Sequence, residues 1–476
     1  MYIFIKPGGN ILTTQARNHP RGARRRPTTT RRRQNHSGEN YFDSIEIEKL
    51  PDLGDLGKKT NDELRQLAID TGIKRVPTQR NELVLTILSS LSDEKKAIVG
   101  AGILDVLSDG FGFLRQPGGR KNNDDIYVTP KKIKNYGLRH GDFITGQVLP
   151  PLAESSNKYY GLVNVETVNG YDPQSAVDRP KFDRFTSVYP DEQIKLETTP
   201  KQTSTRLVDM VAPVGKGQRS LIVAPPKAGK TMLLKQISAG ITENHPEVYI
   251  IVSLIGERPE EVTDMKRSIK GEVFSSTFDE PIEDHCRTAE MALERARRLV
   301  ESGENVVILL DSLTRLARAY NLLVPSSGKT LSGGMDPNAL YPPKNFFGAA
   351  RNCEDAGSLT IIATALVDTG SRLDDLIYEE FKGTGNMELH LDRRLADRRI
   401  WPAIDIEKSG TRHEELLLDD STLKKVWLLR RIIGKISEDP SSKPTEAAEK
   451  ILDRMSKSSS NEEFWMSLTQ PDMGSQ

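Results

Sequence analysis

Apolar positions change period along the chain, and each change marks a different kind of unit. Between residue 46 and about 95 the spacing is helical. Asn61 can cap a helix with Asp62 and Glu63 in its first turn, Leu64, Leu67 and Ala68 form one face, and Gly72 can end it. A second helix fits Glu82 to Leu91, with Val84, Leu85, Ile87, Leu88 and Leu91 apolar. From residue 98 to about 170 short apolar runs separated by Gly and Pro predict strands at Ile103–Leu107, Asp109–Leu114, Asp125–Thr129, Asp142–Val148 and Tyr159–Val168. That many short strands in so little chain suit a small barrel of the oligonucleotide-binding (OB) type.

Residues 171–198 are rich in Pro and charge and read as a connector. From about 199 to 437 near-continuous apolar strands alternate with helical patterns: Leu221–Ala224, Val248–Ile255, Val306–Leu310, Leu359–Ala365 and Met387–Leu391. Such strands predict a mostly parallel sheet covered on both faces, an α/β core. The last stretch predicts a helix at Thr445–Met455 and a short one near Glu462–Leu468. The expected domains are a leader (1–45), a helical subdomain (46–96), an all-β barrel (97–172), a linker (173–198) and an ATPase-type domain (199–476).

Composition narrows the class. Lys+Arg and Asp+Glu are both 67 of 476 residues, so nucleic-acid binding must come from local patches, not a global field. The first 40 residues hold nine Lys/Arg against one acid, Glu39, with few apolar residues. That predicts an unfolded arm, read either as an RNA-binding arm or as a solvated tail. The two cysteines, Cys286 and Cys353, have no paired spacing, which argues against a disulfide scaffold and suits a reducing compartment. No apolar run approaches a membrane span, and the start lacks a signal-peptide core, so a cytoplasmic protein is expected.

The chemistry centres on Ser220 to Thr231, S-L-I-V-A-P-P-K-A-G-K-T. An apolar strand runs into a Pro/Gly turn ending in Gly229-Lys230-Thr231, and a helical run follows. This strand–loop–helix arrangement holds a nucleoside triphosphate: loop N–H groups cradle phosphate oxygens, Lys230 reaches the β- and γ-phosphates and Thr231 ligates Mg²⁺. Ala224 stands where the motif has Gly. A second strand, Val306 to Leu310, ends in Asp311, the Walker B arrangement for holding Mg²⁺. A third ends in Gly256-Glu257-Arg258, placing Glu257 to orient or deprotonate water. Arg412, in Ser409-Gly410-Thr411-Arg412, is either a surface Arg or an arginine finger given to a neighbouring subunit. The Gly-rich loops around Lys329 and at Thr369-Gly370-Ser371-Arg372 either grip a nucleic-acid backbone or merely connect elements.

In the barrel, Phe111 and Phe113 are two residues apart and share a face, flanked by Arg115 and Lys158, with Tyr127 and Tyr159 on other strands. Two readings fit: core residues, or a platform for single-stranded bases.

With these strings assembled, the chain resembles the bacterial transcription termination factors of the Rho family from about residue 50 onward. The resemblance rests on D-G-F-G-F-L-R (109–115), A-P-P-K-A-G-K-T (224–231), E-R-P-E-E-V-T (257–263), L-L-D-S-L-T-R-L-A-R-A-Y-N (309–321) and F-K-G-T-G-N-M-E-L (381–389). It implies a RecA-like P-loop ATPase core behind a helical subdomain and a cold-shock-like RNA-binding barrel. It also implies a homohexameric ring that moves 5′→3′ along nascent cytidine-rich RNA using ATP and Mg²⁺, and that releases RNA from the RNA polymerase elongation complex with Nus-type factors as further partners.

Residue by residue, the resemblance makes Phe111, Phe113, Arg115, Asp125, Tyr127 and Tyr159 a primary RNA site. It makes Ala224, Pro225, Pro226, Lys227, Ala228, Gly229, Lys230 and Thr231 the phosphate loop, Glu257 the catalytic base, Asp311 the magnesium acid and Arg412 the arginine finger. Arg258 becomes a nucleotide sensor, and Met232 and Trp401 adenine contacts. Lys329 with the Thr330–Met335 stretch, and Thr369, Gly370 and Arg372, become secondary RNA loops. Gly256 stands where the family more often has Asp, and Trp401 where it more often has Phe. Two other readings remain at this level: a rotary ATPase subunit, which expects no exposed barrel aromatics, and an RNA-binding protein with an inactive ATPase.

Overall fold

The computed structural model describes residues 42–43, 45, 53–95, 98–115, 125–150, 159–438 and 445–469. The expectations for residues 1–41 and for Lys158 lie outside these. The chain divides into two units, residues 1–179 and 180–476, a boundary inside the expected connector.

The first unit begins with helices α1 (Asn61–Asp70) and α2 (Arg80–Lys95). The cap of α1 is Thr60, one residue before the expected Asn61. Its hydroxyl accepts from the Glu63 amide while the Glu63 carboxylate accepts from the Thr60 amide, a reciprocal capping box. Leu64, Ala68, Leu83, Val84, Ile87 and Leu88 bury the facing sides.

Next come β1 (Val99–Val106), β2 (Gly112–Arg115), β3 (Ile126–Val128), the short α3 (Pro130–Asn135), β4 (Phe143–Leu149) and β5 (Tyr160–Val168). The strands close into a barrel in the order β1-β2-β3-β5-β4, which leaves no free sheet edge. Strand β2 starts three residues later than the apolar pattern predicts. Leu107 and Gly110–Phe111 close a tight turn, with Gly110 at φ 87°, so that stretch of the pattern is spent reversing the chain. Leu104, Leu114, Ile126, Val128, Ile144, Val148 and Leu162 fill the interior.

The second unit is a nine-stranded sheet. Its elements in chain order are β6 (Ser187–Val188), α4 (Thr203–Val211), β7 (Arg219–Ala224), α5 (Lys230–Asn244), β8 (Tyr249–Glu257), α6 (Pro259–Ser268), β9 (Glu272–Thr277), α7 (Ile282–Glu301), β10 (Val306–Asp311) and α8 (Leu313–Leu323). They continue with α9 (Tyr341–Gly348), β11 (Arg351–Cys353), β12 (Ser358–Leu366), α10 (Arg372–Lys382), β13 (Met387–Leu391), α11 (Arg393–Asp397), β14 (Ile404–Thr411), α12 (Asp420–Glu438), α13 (Glu446–Ser456) and α14 (Asn461–Thr469). The main path runs β14-β13-β7-β12-β10-β8-β9. All its pairings are parallel except β13 with β14.

The central strands β8 and β10 are buried along their whole length, as continuous apolar runs require. The edge strands β9 and β14 carry no apolar run to announce them: buried and more exposed positions intermix, and E-V-F-S-S-T and I-D-I-E-K-S-G-T are mostly polar. Among the described residues no helix is long and apolar enough to cross a membrane.

Candidate active site and nucleic-acid interface

The parallel topology delivers β7, β8 and β10 to the same edge of the sheet, so the residues at their carboxyl ends meet. β7 ends at Ala224. The loop Pro225–Gly229 turns with Lys227 at φ 65° and Gly229 at φ 89°, and α5 starts at Lys230. Both residues adopt the left-handed region, which turns successive N–H groups into one concavity. Ala224 and Ala228 are buried beneath the loop, while Pro226 and Lys227 are exposed above it.

Lys230, Glu257 and Asp311 form one cluster. The Lys230 ammonium donates to both Asp311 oxygens at 2.6 Å and to Glu257 Oε1 at 3.2 Å. The acids are 3% and 1% exposed. Thr364, on β12 between β7 and β10, donates its hydroxyl to Asp311 Oδ1 at 2.7 Å and fixes that carboxylate. Burial pushes the Glu257 carboxyl above its ordinary range and the nearby Asp311 adds to this, while Lys230 and Arg315 pull against it. Burial opposes the charge on Lys230, but Asp311 and Glu257 more than offset it and hold its basicity above normal.

A second cation braces Glu257. Arg315, in the first turn of α8, places Nη2 3.4 Å from Glu257 Oε2 and donates Nη1 to the Gly256 carbonyl. Gly256 has φ 65°, a conformation that Gly adopts freely and Asp tolerates better than most residues. The departure at this position therefore leaves the backbone path to Glu257 intact. Arg258, next along, is exposed and pairs with Glu261, 3.2 Å away in the first turn of α6.

One turn further along α8, Arg318 donates Nε to Asp374 Oδ1 at 2.7 Å and Nη2 to the Ser371 hydroxyl at 3.0 Å. The Thr369 hydroxyl donates to the other Asp374 oxygen at 2.6 Å. The loop Thr369–Arg372 is thus tied to the helix that braces Glu257. The second Gly-rich loop meets it: a Cβ on Gly333 would stand 2.8 Å from the Leu373 amide nitrogen and 2.9 Å from the Arg372 carbonyl. The side chains of Lys329 and Arg372 are both exposed. The sequence alone gives Arg315, Arg318, Asp374 and Thr364 no role in the site. The available signal was L-T-R-L-A-R, two arginines one helical turn apart directly after the Asp311 strand.

Trp401 and Met232 flank the phosphate loop. Trp401 is 46% exposed, and its ring edge lies 2.7 Å from where a Cβ on Gly229 would be; Met232 is 60% exposed. An open aromatic face beside the loop is what a purine ring needs.

Arg412 does not join the cluster. β14 runs antiparallel to β13, so its end returns to the opposite edge of the sheet. Thr411 pairs with Met387, and Met387 pairs with Ser220 at the start of β7. Four residues of strand, ~13 Å at ~3.3 Å per residue, then separate that level from Ala224. There Arg412 is exposed beside a cleft of about 310 Å³ that includes Asn386, Lys408 and Gly410.

In the barrel, Phe111, Phe113, Tyr127 and Tyr159 form one aromatic cluster. Centroid distances are 5.8 Å for Phe111–Phe113, 5.6 Å for Phe111–Tyr127 and 4.9 Å for Phe113–Tyr159. Phe111, Phe113 and Tyr159 are partly exposed, and Tyr127 is buried. Arg115 is not an open flanking cation. It is 3% exposed, ion-paired with Asp105 and 3.3 Å from Asp125, with its guanidinium 5.8 Å from the Phe113 ring centroid. Pairing with carboxylates keeps a charge at that depth tolerable.

Comparison with known proteins agrees with both halves. Residues 204–411 match the model of the ATP synthase alpha/beta family, nucleotide-binding domain. Residues 100–174 match the Rho termination factor, RNA-binding domain. Transcription termination factor Rho of Bacillus subtilis (strain 168) is 56% identical over 392 residues, covering 82% of this chain and 90% of that protein. The factor of the same name from Cereibacter sphaeroides is 52% identical over 422 residues, covering 87% and 98%. Among solved structures, a prototypical ATPase from the type III secretion system of pathogenic bacteria aligns with TM-score 0.50 at 25% identity, over 60% of this chain and 86% of its own.

Proposed function

This chain belongs to the transcription termination factor Rho family, and from that premise we propose how its residues do the work. It is an RNA-dependent ATPase that terminates transcription, moving 5′→3′ along cytidine-rich nascent RNA. The observation that carries this is one chain holding both a Lys230–Asp311–Glu257 cluster and a barrel with partly exposed aromatics. The rotary-ATPase reading accounts for the first alone.

The phosphate loop and Lys230 bind the triphosphate, and Trp401 and Met232 hold the adenine. Thr231 and Asp311 would hold Mg²⁺. The fit is supported by the cation already stabilised there, the Lys230 ammonium seated on both Asp311 oxygens. When bound, the metal neutralises charge on the β- and γ-phosphates. Glu257 takes the proton of the attacking water on a carboxylate that Arg315 orients. The charge growing on the transferred phosphoryl group calls for an arginine, and the register of β14 keeps Arg412 from its own loop. Arg412 therefore serves a neighbouring copy in a ring, taken to be a homohexamer.

Phe111, Phe113 and Tyr159 stack bases of the incoming strand, while Arg115 and Asp125 stand behind them as a fixed polar pair. Lys329 and Arg372 contact the strand a second time. The tie from Thr369 through Asp374 and Arg318 to Arg315 lets that contact reach Glu257. RNA polymerase, Nus-type factors and a cytoplasmic location are the setting this activity requires.

ATP hydrolysis with and without cytidine-rich RNA tests the reading. A large acceleration is expected, and a rate indifferent to RNA would falsify it.

A further inference from the structure

The aromatic face of the barrel is already partly covered by a segment that lies ahead of α1 in the chain. Phe42 is 2% exposed. Its ring centroid lies 6.4 Å from that of Tyr127, tilted by 45°. It sits against Gly161 of β5, where any Cβ would stand 2.4 Å from the Phe42 ring, so the missing side chain is what makes room for it. The next residue is anchored as well. Asp43 Oδ1 is 2.8 Å from the Lys132 ammonium and accepts the Thr129 hydroxyl at 2.8 Å. Lys132 also donates to the Phe42 carbonyl at 3.0 Å. The cover is uneven: Phe111, Phe113 and Tyr159 stay partly exposed, while Tyr127, which meets Phe42 on one side and packs against Phe111 and Phe113 as well, is buried at 7% exposure.

An aromatic ring packed at a 45° tilt beside Tyr127, with an anion one residue along held by an ammonium and a hydroxyl, presents the two recognisable parts of a nucleotide. The ring stands for the base and the carboxylate for the phosphate. Resting on the RNA-binding reading above, we infer that Phe42 and Asp43 occupy one nucleotide's place on the aromatic face. The segment is then an intrachain competitor that RNA must displace before a base can stack on Tyr127. A site open for only part of the time binds with its intrinsic affinity reduced by that fraction. Removing the competitor strengthens RNA binding. If Phe42 were instead a wall of the base pocket, removing it would weaken binding, so the two roles differ in sign.

The test uses the full chain and a cytidine hexaribonucleotide. Its affinity is measured for the wild type, for Phe42→Ala with Asp43→Asn, and for Phe113→Ala. The double variant is expected to bind about three- to tenfold more tightly, and Phe113→Ala to bind more weakly than wild type. In parallel, hydrogen exchange at Phe42, Asp43 and Ile45 in the wild type is expected to speed up when RNA saturates the site, because the segment is expelled. That measurement stands even if the double variant misfolds. Unchanged or weaker binding by a folded double variant, or exchange that slows or stays constant with RNA, overturns the competitor role while leaving RNA binding intact. Loss of all RNA binding in the wild type, or indifference to Phe113→Ala, overturns the RNA reading itself.

Discussion

Arg315 holds Glu257 from the side opposite Lys230. The lysine ammonium meets Oε1 at 3.2 Å and the arginine guanidinium meets Oε2 at 3.4 Å, so the carboxylate is clamped between two cations. On the proposed reading Glu257 is the base, and a base fixed this way has one direction in which to take a proton. Arg315→Ala is expected to lower RNA-stimulated kcat about 10- to 100-fold, the effect of a misplaced catalytic group, with the KM for ATP changed far less. Steady-state kinetics at saturating RNA checks this; a KM effect without a kcat effect would assign Arg315 to nucleotide binding instead.

The same clamp sets a pH dependence. Burial and then Asp311 raise the Glu257 carboxyl above its ordinary value, and Lys230 and Arg315 lower it in part. A raised value means that the carboxylate needed as a base is lost at a higher pH than an ordinary glutamate would lose it. The acid limb of the kcat profile is therefore expected above the usual glutamate range. Arg315→Gln removes one lowering charge, so its residual activity should show that limb moved further upward. A limb that moves downward contradicts the account.

Much of this cluster is legible in the sequence. Lys230, Glu257 and Asp311 each follow an apolar run, and a parallel sheet brings the carboxyl ends of such strands together. The braces were not legible. Helical spacing places Arg315 and Arg318 on one side of α8 but does not say that this side faces Glu257 and Asp374. Arg115 misled for a related reason. Beside two phenylalanines it reads as a cation flanking the aromatic face, yet barrel closure buries it within reach of Asp105 on β1 and Asp125 before β3. The polar edge strands β9 and β14 lacked any apolar run, so the direction of β14, on which the role of Arg412 turns, came only from the register.

Trp401 offers a separable test of nucleotide binding. Trp401→Ala is expected to raise the KM for ATP about tenfold, the weight of one base stack, with kcat little changed. Gly229→Ala should do worse. It forces a side chain into φ 89° and sets its Cβ 2.7 Å from the Trp401 ring. Equilibrium binding of a fluorescent ATP analogue distinguishes both from loss of chemistry.

On the barrel, Phe113→Ala removes the ring that contacts Phe111, Tyr127 and Tyr159. RNA affinity is expected to fall by ~1–3 kcal/mol while ATP affinity without RNA stays constant. An equal loss of both would mean that the cluster acts only in folding.

The shared site is tested most directly by mixing two inactive chains. On the proposed reading Lys230→Ala lacks the phosphate-binding lysine and Arg412→Ala lacks the finger, and each alone is expected to show no RNA-stimulated hydrolysis. In rings assembled at random from equal amounts of both, about a quarter of the interfaces pair an intact loop on one subunit with an intact Arg412 on its neighbour, because head-to-tail contacts join unlike surfaces. The account predicts that RNA-stimulated hydrolysis reappears in the mixture. If the mixed rings assemble and bind RNA yet hydrolyse no ATP, the site is not divided between Lys230 and a neighbour's Arg412.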